Sequence, residues 1–243
     1  MSNVEAWDRA ADKFVAELDA PIDAVSYGED MPDDRELRLV GRVQSKRVLD
    51  LGCGAGHNAV ALALQGATVT AVDGSDAMLE HARRLANETG VKVEFRASDL
   101  AELAWLRADS IDIALSIDAL VELEDLDRAL RSVHRVLRTG APFVFTYSHP
   151  MALVCRPDDA PDGELPFGRL EVQRSYFEME PMRIERFGEI FTLYPRTFAD
   201  IFSALGRAGF GVDILAEPQR EQSADPRPEV PRVIAVRARK QGN

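Results

Sequence analysis

Between Lys46 and Tyr147 strand signals and helix signals alternate, and that alternation leaves the chain few folds to choose from. Arg47-Val48-Leu49-Asp50-Leu51 is a short apolar run leading into glycines, as expected of a strand buried on both faces. Asn58 to Gln65 has helical composition, with Gly66 suited to its C-terminal cap. Thr68 to Asp73 is β-branched and reads as a second strand. Ser75 can cap a helix over Asp76 to Glu88, in which Met78, Leu79, Ala82 and Leu85 recur at helical spacing. Val91 to Phe95 and Ile111 to Ser116 read as the third and fourth strands. Asp125 to Arg138 is an amphipathic helix, and Pro142 to Tyr147 is the fifth strand. Such βαβ alternation predicts a parallel, doubly wound sheet with right-handed crossovers and helices on both faces. Ligands of such sheets bind beyond the carboxyl ends of the strands. Asp50, Asp73, Asp99 and Ser116 all fall at or just after those ends.

The flanks read differently. Residues 1–45 are expected to form a helical cover with a turn around Tyr27-Gly28 and Met31-Pro32, while 46–243 form the main domain. Residues 151–194 break the alternation as an insertion after the fifth strand. In it, Arg156 to Gly168 is loop-like, and Leu170 to Phe177 and Ile190 to Tyr194 are extended. Arg196 to Ala208 is a helix ended by Gly209. Strands follow at Phe210 to Leu215 and Val233 to Arg239, separated by a proline-rich loop from Glu217 to Pro231. The insertion concentrates Phe167, Tyr176, Phe177, Phe187 and Tyr194, which suits an acceptor-choosing cap or, alternatively, a hairpin that only extends the core.

Charge limits the partners. With a formal charge of −12, the chain would repel nucleic acid, whose binding draws on basic faces, so neither DNA nor RNA is expected as substrate. No run approaches the roughly 18 apolar residues of a membrane span. The N-terminal stretch is too charged for a secretory signal, so a cytoplasmic setting with no membrane partner is expected. Cys53 and Cys155 lie in no metal-ligating pattern, and no metal is expected.

The segment from Val48 to Gly56 carries the chemistry. Closely spaced glycines between a strand and a helix let a ligand approach the backbone. Asp50 would point toward a cationic ligand, and Asp73 stands where an acid binds a ribose hydroxyl pair. A dinucleotide fingerprint would place a third glycine at position 57, where His57 stands. That counts against a nicotinamide-dependent oxidoreductase, the first alternative. A nucleoside with an amino-acid tail fits better.

These residues resemble the class I S-adenosylmethionine-dependent methyltransferases of small-molecule type, from about Arg47 to Tyr147. DLGCGAG is similar to that family's first motif and VDGSDAMLEHAR to its second. Ser98 to Leu100, Ile113 to Leu120 and LRTGAPFVFTYSHP resemble the next three. The resemblance implies a seven-stranded, mostly parallel sheet with an antiparallel last strand. It implies S-adenosylmethionine as cofactor and S-adenosylhomocysteine as product, with methyl transfer to an O, N or C atom of a small molecule. Gly52 and Gly54 would border the methionine moiety and Asp50 its ammonium. Asp73 would bind the ribose, Met78 would pack on the adenine, and Asp99 and the Leu100 amide would meet its edge. Gly74 stands where the family often has an apolar or aromatic residue, and Ser116 would offer a carbonyl to the methionine amine. Met78 also suits plain core and Asp99 a plain cap. His149, just after the fifth strand, is the candidate general base, with a packing histidine as the alternative. Tyr147, Tyr176, Tyr194 and Arg196 are candidates to orient the acceptor, Trp7 and Tyr27 to close a lid, and His57 to shape the turn. A non-catalytic S-adenosylmethionine-binding partner subunit stays open, as does a homodimer.

Overall fold

The computed structural model describes residues 2–28, 31–157, 170–218 and 230–242. Its centre is a seven-stranded sheet in the order β10-β11-β5-β4-β1-β2-β3. The strands are β1 (Arg47–Leu51), β2 (Thr68–Asp73), β3 (Val93–Ala97), β4 (Ile113–Ser116), β5 (Pro142–Ser148), β10 (Phe210–Ala216) and β11 (Val233–Lys240). β1 to β5 pair parallel, whereas β11 runs antiparallel to both neighbours, β5 and β10. The order reverses at β1, which pairs with β2 on one side and β4 on the other. That switch point opens a crevice beyond the strand ends, where nothing crosses over.

Helices cover both faces because the strands are apolar on both. On one face α5 (Leu126–Val136) and α7 (Phe198–Arg207) seat Leu130, Val133, Ile201 and Leu205 against Phe143, Phe145 and Val236. On the other, α3 (His57–Leu64) and the segment around Tyr27 and Leu39 pack with Leu79 against Val48, Leu115 and Val144. Leu79 belongs to α4 (Asp76–Thr89), capped by Ser75, whose Oγ accepts the Met78 amide. Among the described residues, no helix is long and apolar enough to cross a membrane.

Several boundaries differ from the sequence reading for local reasons. The third strand starts at Val93 rather than Val91, because Gly90 closes α4 in the left-handed region and the Val91 amide bonds back to Ala86. Ile111 makes only an isolated bridge with Leu137, so the fourth strand starts at Ile113 and the helix that follows it stops at Val136. The N-terminal cover holds one substantial helix, α1 (Asn3–Glu17), and a single turn, α2 (Asp34–Leu37). The rest of it is irregular chain, and Tyr27 is core rather than lid, fully buried with its hydroxyl on Asp34 at 2.6 Å.

After β5 come a short helix, α6 (Pro150–Val154), and strands β6 (Cys155–Pro157) and β7 (Leu170–Val172), which pair with each other. A second hairpin joins β8 (Met182–Arg186) to β9 (Glu189–Leu193). Its two-residue loop is Phe187-Gly188, both at positive φ (53° and 79°), as a primed hairpin turn demands. Phenylalanine is foreign to that position, which hid the hairpin in the sequence. Phe177 is 79% exposed rather than pocket-lining. Phe167 and most of the loops expected at Arg156 to Gly168 and Glu217 to Pro231 lie outside the described residues.

Candidate functional site

A cavity of about 1280 Å³ lies across the carboxyl ends of β1, β2 and β4, roofed by α1 and by the tip of the β8–β9 hairpin. Its floor is the turn after β1. Gly52, Gly54 and Gly56 all have positive φ (75°, 50° and 83°), a region that penalises any Cβ. A Cβ on Gly52 would stand 2.3 Å from Ala119 Cβ, and one on Gly56 2.7 Å from Ala82 Cβ. One on Gly54 would meet nothing within 4 Å, so that glycine keeps its peptide open toward the cavity.

Asp73, at the end of β2, holds this turn. Its Oδ2 accepts the Gly54 amide at 2.8 Å and its Oδ1 the Ser75 amide at 2.9 Å. Each oxygen keeps a lone pair for a ligand hydroxyl. Burial pushes the Asp73 carboxyl up, opposed by the amides of Ser75 and Gly54. Asp50 is buried on β1 within the same wall, and its Oδ2 has no hydrogen-bond partner. Burial, and then the charge of Asp73, push it up to about 7. A buried carboxylate oxygen left unsatisfied is costly, so this one is set up for a cationic donor.

The other cofactor-end residues divide. Met78 lines the cavity and also packs with Ala11 and Ala55, so the pocket and core readings coincide. Gly74 lines it too, and a Cβ there would stand 2.8 Å from Val4 Cγ2. The space the family often fills from this position is taken by α1. Asp99 is exposed to the cavity and its Oδ1 accepts the Ala101 amide at 2.8 Å, in a turn that no helix follows. Leu100 lines the cavity beside it. Ser116 is fully buried behind the wall, and Ile117, Asp118 and Ala119 form the surface at this strand end. His57 lines the cavity at the start of α3, and burial lowers its imidazole pKa.

The expected acceptor residues are placed elsewhere, and this corrects the sequence reading. His149 does not line the cavity. Its Nδ1 caps α6 by accepting the Met151 amide at 3.1 Å, and its Nε2 lies 3.0 Å from Glu217 Oε1. With both ring nitrogens engaged it has no lone pair to offer as a base. Tyr147 is fully buried, its hydroxyl donating to the Tyr194 carbonyl at 2.8 Å. Arg196 donates to Tyr147 Oη and the carbonyls of Tyr194, Leu123 and Glu124. Tyr176 Oη accepts the Phe198 amide at the start of α7. Tyr147, Tyr176, Tyr194 and Arg196 all lie outside the cavity wall.

The residues that do face the acceptor end were missed. Asp118 follows β4 at a positive φ of 55°, held by Thr146, which accepts its amide and donates to its Oδ1, each at 2.9 Å. It is open to the cavity yet enclosed enough that burial pushes its carboxyl up. Glu122 ends a single 3₁₀ turn, Leu120–Glu122, and its Oε2 accepts Trp7 Nε1 at 3.0 Å and Asn3 Nδ2 at 2.9 Å. Burial pushes it up to about 7 against those two bonds. Trp7, Phe14 and Phe187 line the cavity as a ring cluster, with centroids 5.5 to 6.1 Å apart. The strand-end rule that found Asp50 and Asp73 would also have found Asp118, two residues beyond Ser116. Glu122 and Phe187 carry no comparable local signal.

The likenesses to known proteins agree with this geometry. A family described as a methyltransferase domain matches residues 49–145. A ubiquinone biosynthesis O-methyltransferase of Bordetella avium is 37% identical over 108 residues, covering 44% of this chain and 45% of that protein. The enzyme of the same name from Pseudomonas syringae pv. tomato is 32% identical over 151 residues, covering 60% and 64%. The chain thus spans between about half and two thirds of the length of these curated relatives. A solved S-adenosylmethionine-dependent methyltransferase from Mesorhizobium loti superposes with a TM-score of 0.67 and 28% identity, over 84% of this chain and 94% of that one. The sheet order, the glycine turn held by an acid at the end of β2, and these matches all point the same way. The chain is similar to the class I S-adenosylmethionine-dependent methyltransferases, in sequence over residues 49–145 and in the fold of the whole sheet.

Proposed function

We propose that this protein is an enzyme that transfers the methyl group of S-adenosylmethionine to a small molecule. The observation that carries the reading is the unpartnered, buried Asp50 Oδ2 beside the open Gly54 peptide and the doubly tethered Asp73. An amino-acid ammonium would satisfy Asp50, the turn at Gly52 and Gly54 would border the methionine chain, and Asp73 would accept the ribose hydroxyls. Met78, Asp99 and Leu100 flank the space for the adenine. When bound, S-adenosylmethionine supplies a methyl group already activated on sulfur, so the chain's task is to bind, orient and exclude water. Glu122, rather than His149, is the side chain poised to take up an acceptor proton.

Both alternatives lose support. A bound dinucleotide would want a third glycine where His57 begins α3. A non-catalytic subunit would have its acceptor space blocked, whereas here the cavity continues past Asp118 to Leu193 and Val233. The charge of −12 favours a small acceptor over nucleic acid. Titration calorimetry with S-adenosylhomocysteine and with NAD tests the cofactor, the first expected to bind and the second not. Release of S-adenosylhomocysteine across a small-molecule library tests the activity. Binding of NAD without S-adenosylhomocysteine would reverse the reading.

A further inference from the structure

Asp118 and Glu122 stand on one short turn after β4, and each has one carboxylate oxygen tied to the protein and one that accepts no hydrogen bond among the described residues. Thr146 holds Asp118 Oδ1, and no hydrogen bond to its Oδ2 is formed among the described residues. In front of that oxygen stands Gly28, at a φ of 122°. A Cβ there would come within 3.0 Å of it, so a glycine keeps the approach clear. Trp7 and Asn3 both hold Glu122 Oε2, and Glu122 lines the cavity. The donors Trp7 and Asn3 come from α1, whose Trp7 also joins Phe14 and Phe187 in an aromatic wall beside the two acids.

Charge along this wall is lopsided. With Asp50, Asp73 and Asp99 assigned to the cofactor, Glu17, Asp19 and Glu217 still join Asp118 and Glu122, against Arg186 and Arg232. Arg186, exposed at the hairpin tip, is near enough to lower both Asp118 and Glu122, and among the described residues it pairs with neither. Oxygens without donors, aromatic faces and a surplus of negative charge together suit a cation on an apolar body.

We infer that the acceptor end of the cavity binds an amine. Its protonated nitrogen lies against the free oxygens of Asp118 and Glu122, and its aromatic or apolar body packs on Trp7, Phe14 and Phe187. The inference rests on the methyltransferase reading of the cavity and narrows the acceptor to amines; a nitrogen that is itself methylated would first give a proton to Glu122, freeing the lone pair that attacks the methyl carbon.

The test uses the full chain saturated with S-adenosylhomocysteine and three matched probes: phenethylamine, 2-phenylethanol and 3-phenylpropionate. Calorimetry is expected to show the amine binding about tenfold or more tighter than the alcohol, with the carboxylate weakest. Asp118→Asn and Glu122→Gln should each remove most of that preference, while S-adenosylhomocysteine affinity stays within about twofold. The glutamine can still accept from Trp7 and Asn3, so α1 should stay docked, and melting curves check this. Tightest binding of the carboxylate would make Arg186 the anchor and overturn the inference. So would equal binding of all three, or no binding of the amine. A parallel loss of S-adenosylhomocysteine affinity in the variants would assign both acids to the cofactor and overturn it as well. Failure of the unaltered chain to bind S-adenosylhomocysteine would instead remove the methyltransferase reading itself.

Discussion

The two ends of the cavity are built in different ways. The cofactor end is made from two consecutive strand ends, residues 50–56 and 73–78, with Asp73 bonding a glycine amide nineteen positions away. That contact is set by the parallel register of β1 on β2, from Arg47 opposite Thr68 to Leu51 opposite Val72, and Asp99 and Leu100 join it from beyond β3. The acceptor end is gathered from α1, the turn after β4, the β8–β9 hairpin and the start of β11. Asn3 reaches both Glu122 and the Thr192 carbonyl, across more than a hundred positions each way. A site at consecutive strand ends is fixed by backbone geometry, whereas one gathered from four segments depends on how they dock. The first can persist while the second is remodelled for another acceptor.

The largest effect should fall at the cofactor end. Asp73→Ala removes two charge-assisted acceptors of roughly 1.5–3 kcal/mol each, so S-adenosylhomocysteine affinity should drop on the order of 100-fold or more. Calorimetry on the folded variant checks this, and unchanged affinity would break the assignment of that end. Arg196→Ala should do the opposite. Four acceptors lose their donor, which should cost about 2–3 kcal/mol of stability and roughly 4–12 °C in Tm, with cofactor affinity intact. A selective loss of acceptor turnover at full stability would restore Arg196 to the site.

The pH response should sharpen the contrast. Asp50 titrates at about 7 in the folded chain against 3.8 as an ordinary aspartate, so the native state holds the extra proton in between. Its contribution to stability is fully present below about pH 4 and lost as pH rises to about 7, with a slope of at most about 1.4 kcal/mol per pH unit. Glu122 acts in the same direction. Urea denaturation at pH 5 and pH 8 should show Asp50→Asn flattening this dependence. S-adenosylhomocysteine binding should tighten over the same rise, as ionised Asp50 meets an ammonium. The smallest effect belongs to His149→Ala, which removes the cap of α6 at a cost of about 1 kcal/mol. A rate collapse with an unaltered melting curve would return His149 to catalysis.

What the sequence determined by itself was the order of strands and helices from Lys46 to Tyr147 and the cofactor turn. Strand periodicity, the glycines at 52, 54 and 56, and acids at strand ends are local features, and parallel pairing converts them into a site without further information. Tertiary structure decided the rest. Tyr147 and Arg196 sit at positions where acceptor residues are expected, yet Tyr147 points toward the Tyr194 carbonyl and Arg196 toward the carbonyls of Tyr194, Leu123 and Glu124, which only the fold brings to them. His149 became a cap because Pro150 starts a helix directly after it. Glu122 gained its place because α1 folds back over a turn more than a hundred residues downstream. Such partners are chosen by docking and burial, which no spacing along the chain encodes.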